Sequence, residues 1–342
     1  MLTTPTLERI LARLPALTVG VAGDLFCDRY LDIDAALTEP SIETGLDAYQ
    51  VVRVRSVPGA AGTIVNNLVA LGVGRVTLAS VLGDDGEGYE LRQALADLAA
   101  VETRFVLTDE SIRTPTYTKP MLRREGEPPR ELNRLDIKNR TPVRSVLEES
   151  LLHALEALWP SVDALVVLDQ VSEADCGVVT ARVRDKLRAL GERNPGKLIL
   201  ADSRERIGQF QAVSLKPNQA ECRRAVFGPE AGPETTAEAA RTLARRAGRP
   251  VFCTCGEHGI LLAAADQLHE VPPFPVAGPV DPVGAGDSTS AGIAAAVAAG
   301  ATLAEAAAFG NLVASITIQQ LGTTGTASPE MVRRRWQAVA SG

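Results

Sequence analysis

One short string concentrates the chemistry in this sequence: Gly284, Ala285, Gly286 and Asp287, inside DPVGAGDSTSAGIAAAVAAG at 281–300. Small residues just ahead of a helix leave backbone N–H groups unpaired at its N-terminus, where the helix dipole also favours negative charge. Such a turn binds an anion, and glycine keeps side chains out of the way of a phosphoryl group. A carboxylate beside that anion is unfavourable unless it takes a proton from an attacking hydroxyl, so Asp287 suits a general base in phosphoryl transfer. The same residues also suit a plain glycine turn with Asp287 capping the helix, and the string by itself leaves both readings open. There is no G-x-x-x-x-G-K-[ST] loop and no G-x-G-x-x-G after a first strand.

Other candidates sit at strand ends. LTVGVAGD (17–24) ends at Asp24 and DALVVLD (163–169) ends at Asp169. Ligands of open α/β sheets lie beyond the carboxyl ends of the strands, where a carboxylate can accept hydrogen bonds from a ligand. KPNQAE (216–221) reads as a helix start, with Asn218 as cap and Glu221 in the first turn.

The elements that position these residues alternate strand and helix, which predicts an α/β fold with a mainly parallel sheet. Strands are expected at 17–24, 75–83, 163–169, 197–203 and 212–218, with a strand pair at 249–256 and 259–264. Helices are expected at 62–72, 88–100 and, near the end, at about 286–299, 303–320 and 329–340. Two stretches break the rhythm. In 29–58, YQVVRVRSV alternates with the two-residue period of a half-exposed strand; in 103–140, TRFVLT, TYTKPMLR and ELNRLDIK read as three more strands. Together they are expected to form a small β layer, a lid over one end of the core. Lys119, Arg123 and Arg134 fall in that layer as candidate anion-binding cations, although basic residues on such strands are often simply solvated.

Composition narrows the partners. The chain has 342 residues, a formal charge of -7 and only 4% aromatic residues. It lacks the basic footprint of a nucleic-acid binder and the aromatics of a single-strand platform. Cys27, Cys176, Cys222, Cys253 and Cys255 have neither disulfide-type nor zinc-type spacing, and read as reduced thiols of a cytoplasmic protein. No secretory signal pattern opens the chain, and the Ala-rich run at 291–310 holds Glu305 and reads as core helices rather than a membrane span.

DPVGAGDS together with PGAAGTIVNNLVALG near residue 60 resembles the two signatures of the ribokinase (pfkB-type) carbohydrate kinases. KPNQAE resembles the family's N-x-x-E element, FCTCGEHG (252–259) its nucleotide-lining T-x-G-x-x-G turn, and FGNLVASITIQQLGT (309–323) its adenine-closing helix. These motifs keep family order over about 17–335. The resemblance implies a ribokinase-like three-layer α/β/α core with a mainly parallel sheet and a small β-sheet lid, as one domain over 1–342. It implies ATP-dependent phosphorylation of a sugar hydroxyl, with Asp287 as base and the N–H groups of Gly284, Ala285 and Gly286 as anion hole. Asn218 and Glu221 would hold Mg²⁺ through waters, while Thr254, Gly256, Gly259 and Asn311 would border adenine and ribose. The family sometimes uses K⁺, for which the loops near Asp281 and Gly322 are candidates. Its lid often pairs across a dimer, so a homodimer is expected.

GDLFCDRY (23–30) looks like the start of one branch of the family, the heptose 7-phosphate kinases; TPTYTKP, NRLD and LGTTGTASPE resemble that branch too. This implies Asp24, Asp28, Gly59, Ala60, Thr63, Asn67 and Asp169 around the acceptor, with Lys119 and Arg134 for its phosphate. The adenylyltransferase motif H-x-G-H of that branch does not occur. Ala60 replaces the second Gly of the first signature, Thr63 replaces a sugar-binding Asn, and Pro282 and Val283 replace the residues usual before GAGD. A Thr cannot offer the two-armed hydrogen bond of an amide, so acceptor choice is expected to differ. Two other readings stand beside this one: a nucleoside kinase, disfavoured by the few aromatics, and a non-catalytic nucleotide- and sugar-binding sensor, motivated by Thr63 and Val283.

Overall fold

In the computed structural model, which describes residues 2–264 and 267–340, the strands are β1 (Thr18–Gly23), β2 (Leu25–Pro40), β3 (Asp47–Ala60), β4 (Arg75–Gly83), β5 (Val101–Asp109), β6 (Thr116–Arg123), β7 (Arg130–Glu131), β8 (Leu135–Ile137), β9 (Ala164–Asp169), β10 (Leu198–Ser203), β11 (Ser214–Leu215), β12 (Val251–Thr254), β13 (Ile260–Ala264) and β14 (Gln267–Val271). The helices are α1 (Thr4–Arg13), α2 (Ala61–Ala70), α3 (Gly86–Ala96), α4 (Ser145–Leu158), α5 (Ala181–Arg193), α6 (Gln219–Phe227), α7 (Thr236–Ala247), α8 (Ala285–Ala298), α9 (Leu303–Thr317) and α10 (Pro329–Ala340).

Among the described residues the main sheet runs β14-β13-β12-β11-β10-β9-β1-β4-β5. It is parallel from β12 to β5; β13 and β14 close it as antiparallel strands. Its central strands are apolar on both faces because helices cover both. Val19, Val21, Leu78, Val166 and Leu200 face α2, α8 and α9, while Ala22, Ala79, Leu165, Val167 and Ile199 face α4, α5 and α7. This two-residue alternation makes the three-layer α/β/α arrangement of a ribokinase-like fold.

The Ala-rich run forms parts of α8 and α9, packed so closely that a β-carbon on Gly292 would lie 3.0 Å from the Gly310 Cα. Small residues serve helix contact there, and no described helix is long and apolar enough to cross a membrane.

A second sheet, β3-β2-β6-β7 with β8 also on β6, stands at one end of the core. Its makeup corrects one expectation. TRFVLT, read as a lid strand, lies in β5 and pairs in parallel with β4 at the edge of the main sheet. An edge strand is half-exposed and alternates with the same period as a lid strand, so pattern alone did not separate them. The stretch expected as one strand over 131–138 is split into β7 and β8, both antiparallel to β6.

Candidate active site

The parallel register sets the carboxyl ends of β1, β9, β10 and β11 on one rim. Between that rim and the second sheet opens a cleft of about 1030 Å³.

On the floor of the cleft, Gly284 adopts φ +78° and α8 starts at Ala285. The left-handed turn is available to glycine without the penalty a Cβ would bring. Of the three amides expected in the anion hole, that of Ala285 is not free, since it donates to the Pro282 carbonyl at 3.1 Å. The N–H groups of Gly284, Gly286 and Asp287 find no acceptor among the described residues. The turn therefore presents three unpaired donors among the described residues, with Asp287 in place of Ala285. No side chain caps α8, so the capping role open to Asp287 from sequence is not what it does. Its half-buried carboxylate lines the cleft and accepts no hydrogen bond from a described residue. Burial, then the nearby Asp202 charge, push it up to about 7, against the pull of Lys216 and Arg204.

Asp202 and Lys216 are the principal residues that sequence reading missed, although KPNQAE begins with Lys216 and KLILADS carries Asp202 at a strand end. Lys216 is 3% exposed and its Nζ lies 2.8 Å from Asp202 Oδ2. Burial disfavours the ammonium, but Asp202, Glu221 and Asp287 outweigh it and hold its pKa above the usual lysine value.

Asn218 and Glu221 cap α6 reciprocally: Asn218 Oδ1 accepts from the Glu221 N–H at 2.9 Å, and Glu221 Oε2 accepts from the Asn218 N–H at 2.8 Å. Both side chains also line the cleft, so structural and ligand roles coexist. Burial and the charge of Asp202 raise the Glu221 pKa. Among the described residues no group of three or more His, Cys, Asp or Glu could hold a metal alone. The donor set, one carboxylate with its Oε1 uncommitted, fits Mg²⁺, which keeps waters and shares substrate phosphates.

Thr254 and Gly256 line the same end of the cleft; Gly259, Asn311 and Asp281 do not. A β-carbon on Gly259 would meet the Val271 carbonyl at 2.2 Å, so that glycine serves a turn. Asn311 Nδ2 donates to the carbonyls of Val271 and Pro272, tying α9 to the end of β14. The Asp281 carboxylate accepts from the amides of Val283 and Gly322.

At the other end, Asp28, Ala60, Thr63, Lys119 and Arg134 line the cleft, whereas Asp24, Gly59, Asn67 and Asp169 do not. Asp24 Oδ2 accepts from the amides of Gln170 and Val171 and its Oδ1 from Val178, so the carboxylate clamps the loop after β9. Burial, then Asp169, push Asp24 up to about 6 against those amides. Asp169 accepts from Ser203 and from two nitrogens of Arg206, an ion pair that is almost fully buried. Neither acid lines the cleft. Buried Asn67 donates to the Thr63 carbonyl. A β-carbon on Gly59 would meet Asp28 Oδ2 at 2.4 Å, so the glycine leaves room for that carboxylate. Ala60 adopts φ +54°, a conformation that costs a non-glycine residue about 1–3 kcal/mol.

The expected cations are mostly matched already. Lys119 Nζ lies 3.2 Å from Asp28 Oδ1, Arg134 forms a bidentate pair with Asp136, and Arg123 lies outside the cleft on Asp32. The Arg134 guanidinium also stacks 4.1 Å over Tyr117, whose ring meets Phe26 edge-on. These two aromatics, also missed from sequence, form an apolar floor for this end.

The sequence profile described as pfkB family carbohydrate kinase matches residues 28–331. Among curated proteins, the chain is 29% identical over 331 residues to the bifunctional protein HldE of Rhodospirillum rubrum, covering 96% of this chain and 64% of that protein. It is 31% identical over 336 residues to HldE of Caulobacter sp., covering 95% and 65%. The chain thus spans slightly under two thirds of the length of these relatives. Among solved structures, Arabidopsis thaliana ribokinase complexed with ribose and ATP superposes with a TM-score of 0.67 at 17% identity, over 93% of this chain and 98% of that one. Escherichia coli phosphofructokinase-2 in complex with substrates and products gives 0.66 at 18%, over 95% and 100%. These structures share the fold, and the profile match covers most of the sequence: the chain belongs to the pfkB family of carbohydrate kinases.

Proposed function

We propose that this sugar kinase transfers the terminal phosphoryl group of ATP to a hydroxyl of a sugar phosphate, a heptose-phosphate-like acceptor being favoured by GDLFCDRY. The observation that carries the reading is the unpaired Asp287 carboxylate beside three free amides on one cleft floor. The nucleotide lies toward Thr254, Gly256, Asn218 and Glu221, and the acceptor toward Phe26, Asp28, Thr63 and Tyr117. Asp287 takes the proton of the attacking hydroxyl. The amides of Gly284, Gly286 and Asp287 and the Lys216 ammonium hold the charge on the phosphoryl oxygens in transit. Glu221 and Asn218 hold Mg²⁺ through waters; the ion neutralises phosphate charge when bound. The second sheet acts as a lid that excludes water from the reacting atoms.

An ADP-release assay over a panel of sugars and sugar phosphates, with wild type and Asp287→Asn, tests this. Turnover by the wild type alone supports it; ATP binding by both proteins with ADP release by neither leaves a binding protein without chemistry.

A further inference from the structure

We infer that Arg204 is a specificity-determining residue, the group that holds the phosphate already present on the acceptor; this rests on the sugar-phosphate reading above. Three cations stand where the acceptor end of the cleft meets its middle: Lys119, Arg134 and Arg204. The first two are neutralised within the protein, by Asp28 and by Asp136. The exposed Arg204 guanidinium makes no hydrogen bond or ion pair with any described residue.

Its backbone, by contrast, is fixed on both sides. The Arg204 N–H donates to the Asp169 carbonyl at 3.2 Å, and its own carbonyl accepts from the Arg224 guanidinium. A free arginine head on a clamped main chain is poised for an anion from outside. The position says which anion. Arg204 lines the same cleft as the aromatic floor of Phe26 and Tyr117 and as Asp287 and Glu221, and its charge is felt by Tyr117, Asp287 and Glu221 alike. The nucleotide end already has its donors in the three free amides and Lys216. A planar fork of N–H donors also suits the oxygens of a phosphate monoester better than a point charge does.

The test uses the full chain saturated with Mg²⁺ and a non-hydrolysable ATP analogue, which fills every anion site of the nucleotide end. Inorganic phosphate is then titrated by calorimetry. Wild type is expected to bind one phosphate. Arg204→Ala is expected to weaken that binding at least about tenfold, with Arg204→Lys intermediate and analogue affinity unchanged. Arg204 is exposed, so neither variant threatens folding. Equal phosphate affinity in Arg204→Ala, or no phosphate binding by the analogue-loaded wild type, overturns the assignment. A fall in analogue affinity in Arg204→Ala overturns it in favour of a nucleotide contact. Wild type that fails to bind the analogue defeats the kinase reading itself, and this inference with it.

Discussion

Lys216 Nζ lies 2.8 Å from Asp202 Oδ2 and 3.5 Å from the point where a β-carbon on Gly286 would stand. The pair thus joins the end of β10 to the anion turn and places an ammonium beside a free amide. Its structural and catalytic parts separate by mutation. Lys216→Met leaves Asp202 buried without its partner, and breaking a buried pair costs about 3–5 kcal/mol. The double variant Lys216→Met/Asp202→Asn is expected to regain most of that stability in urea unfolding. Both variants are expected to keep kcat at least about 10²-fold below wild type, because the charge on the phosphoryl path is gone from both. Recovery of activity along with stability would reduce Lys216 to a structural residue.

Asp287 carries a pH prediction whose sign follows from burial. Its carboxyl is pushed up to about 7 in the folded protein, from 3.8 as the ordinary value. A base must be ionised, so kcat/KM is expected to rise with pH through an acid limb near 7 and level off above it. Stability runs the other way. Between those two pH values the folded state holds a proton that the unfolded chain has lost, so this group destabilises the fold as pH rises. In thermal melts without nucleotide, Asp287→Asn is expected to melt above wild type at pH 8, with the gap shrinking toward pH 4. The same variant is expected to lower kcat at least about 10²-fold with ATP affinity little changed. An acid limb that stays in place when residual Asp287→Asn activity is measured would assign it to another group.

Gly286 separates folding from chemistry differently. It lies in the first turn of α8, and among the described residues outside that turn a β-carbon would meet Lys216 Nζ, at ordinary contact distance. Alanine is the better helix former by about 0.5–1 kcal/mol, so Gly286→Ala is expected to be as stable as wild type or more so. The added methyl stands at the open amides, and kcat is expected to fall by about tenfold or more. Unchanged kcat in a stable variant would remove the phosphoryl group from this turn.

What the sequence disclosed and what it hid divide along physical lines. Buried strands and the glycine turn before α8 carry their own signals. A short continuous apolar run bounded by turn residues suits a strand covered on both faces, and small residues ahead of a helix suit a bare N-terminus. Strand-end acids carry no such signal. Asp24, Asp169 and Asp202 look alike in sequence, yet Asp24 clamps a loop, Asp169 pairs with Arg206, and only Asp202 lines the cleft. Which acid faces a ligand depends on where the following loop sends its amides and cations, and that is long-range information. The same holds for Lys119 and Arg134: their charge is legible, while the carboxylates that neutralise them are not.

Asp24 tests that distinction. Its two oxygens accept three amides, so Asp24→Asn turns an NH₂ toward at least one N–H and leaves a buried donor unpaired. The expected loss is about 1–3 kcal/mol in denaturant unfolding. Because Asp24 lies outside the cleft, acceptor KM is expected to stay within about twofold of wild type. A large rise in KM without loss of stability would return Asp24 to the acceptor site.

The lid edge supplies the last prediction. β3 is the terminal strand of the second sheet, and along it Tyr49, Val51, Val52 and Val54 are 44–55% exposed. A long edge strand with apolar side chains in water is a template for pairing with another chain. Of the charges on this strand, Arg55 stacks on Tyr30 and pairs with Asp32 within the sheet, while Arg53 stays exposed between Val52 and Val54. We therefore expect two copies to pair through their lids. Light scattering is expected to give the dimer mass at tens of micromolar, and Val52→Glu/Val54→Glu to give monomer. Because these residues stand away from the cleft, the monomer is expected to bind ATP as wild type does. Its kcat is expected to drop, since an unpaired lid closes less firmly over the acceptor. A monomeric wild type, or a Glu variant that stays dimeric, would place any pairing surface elsewhere.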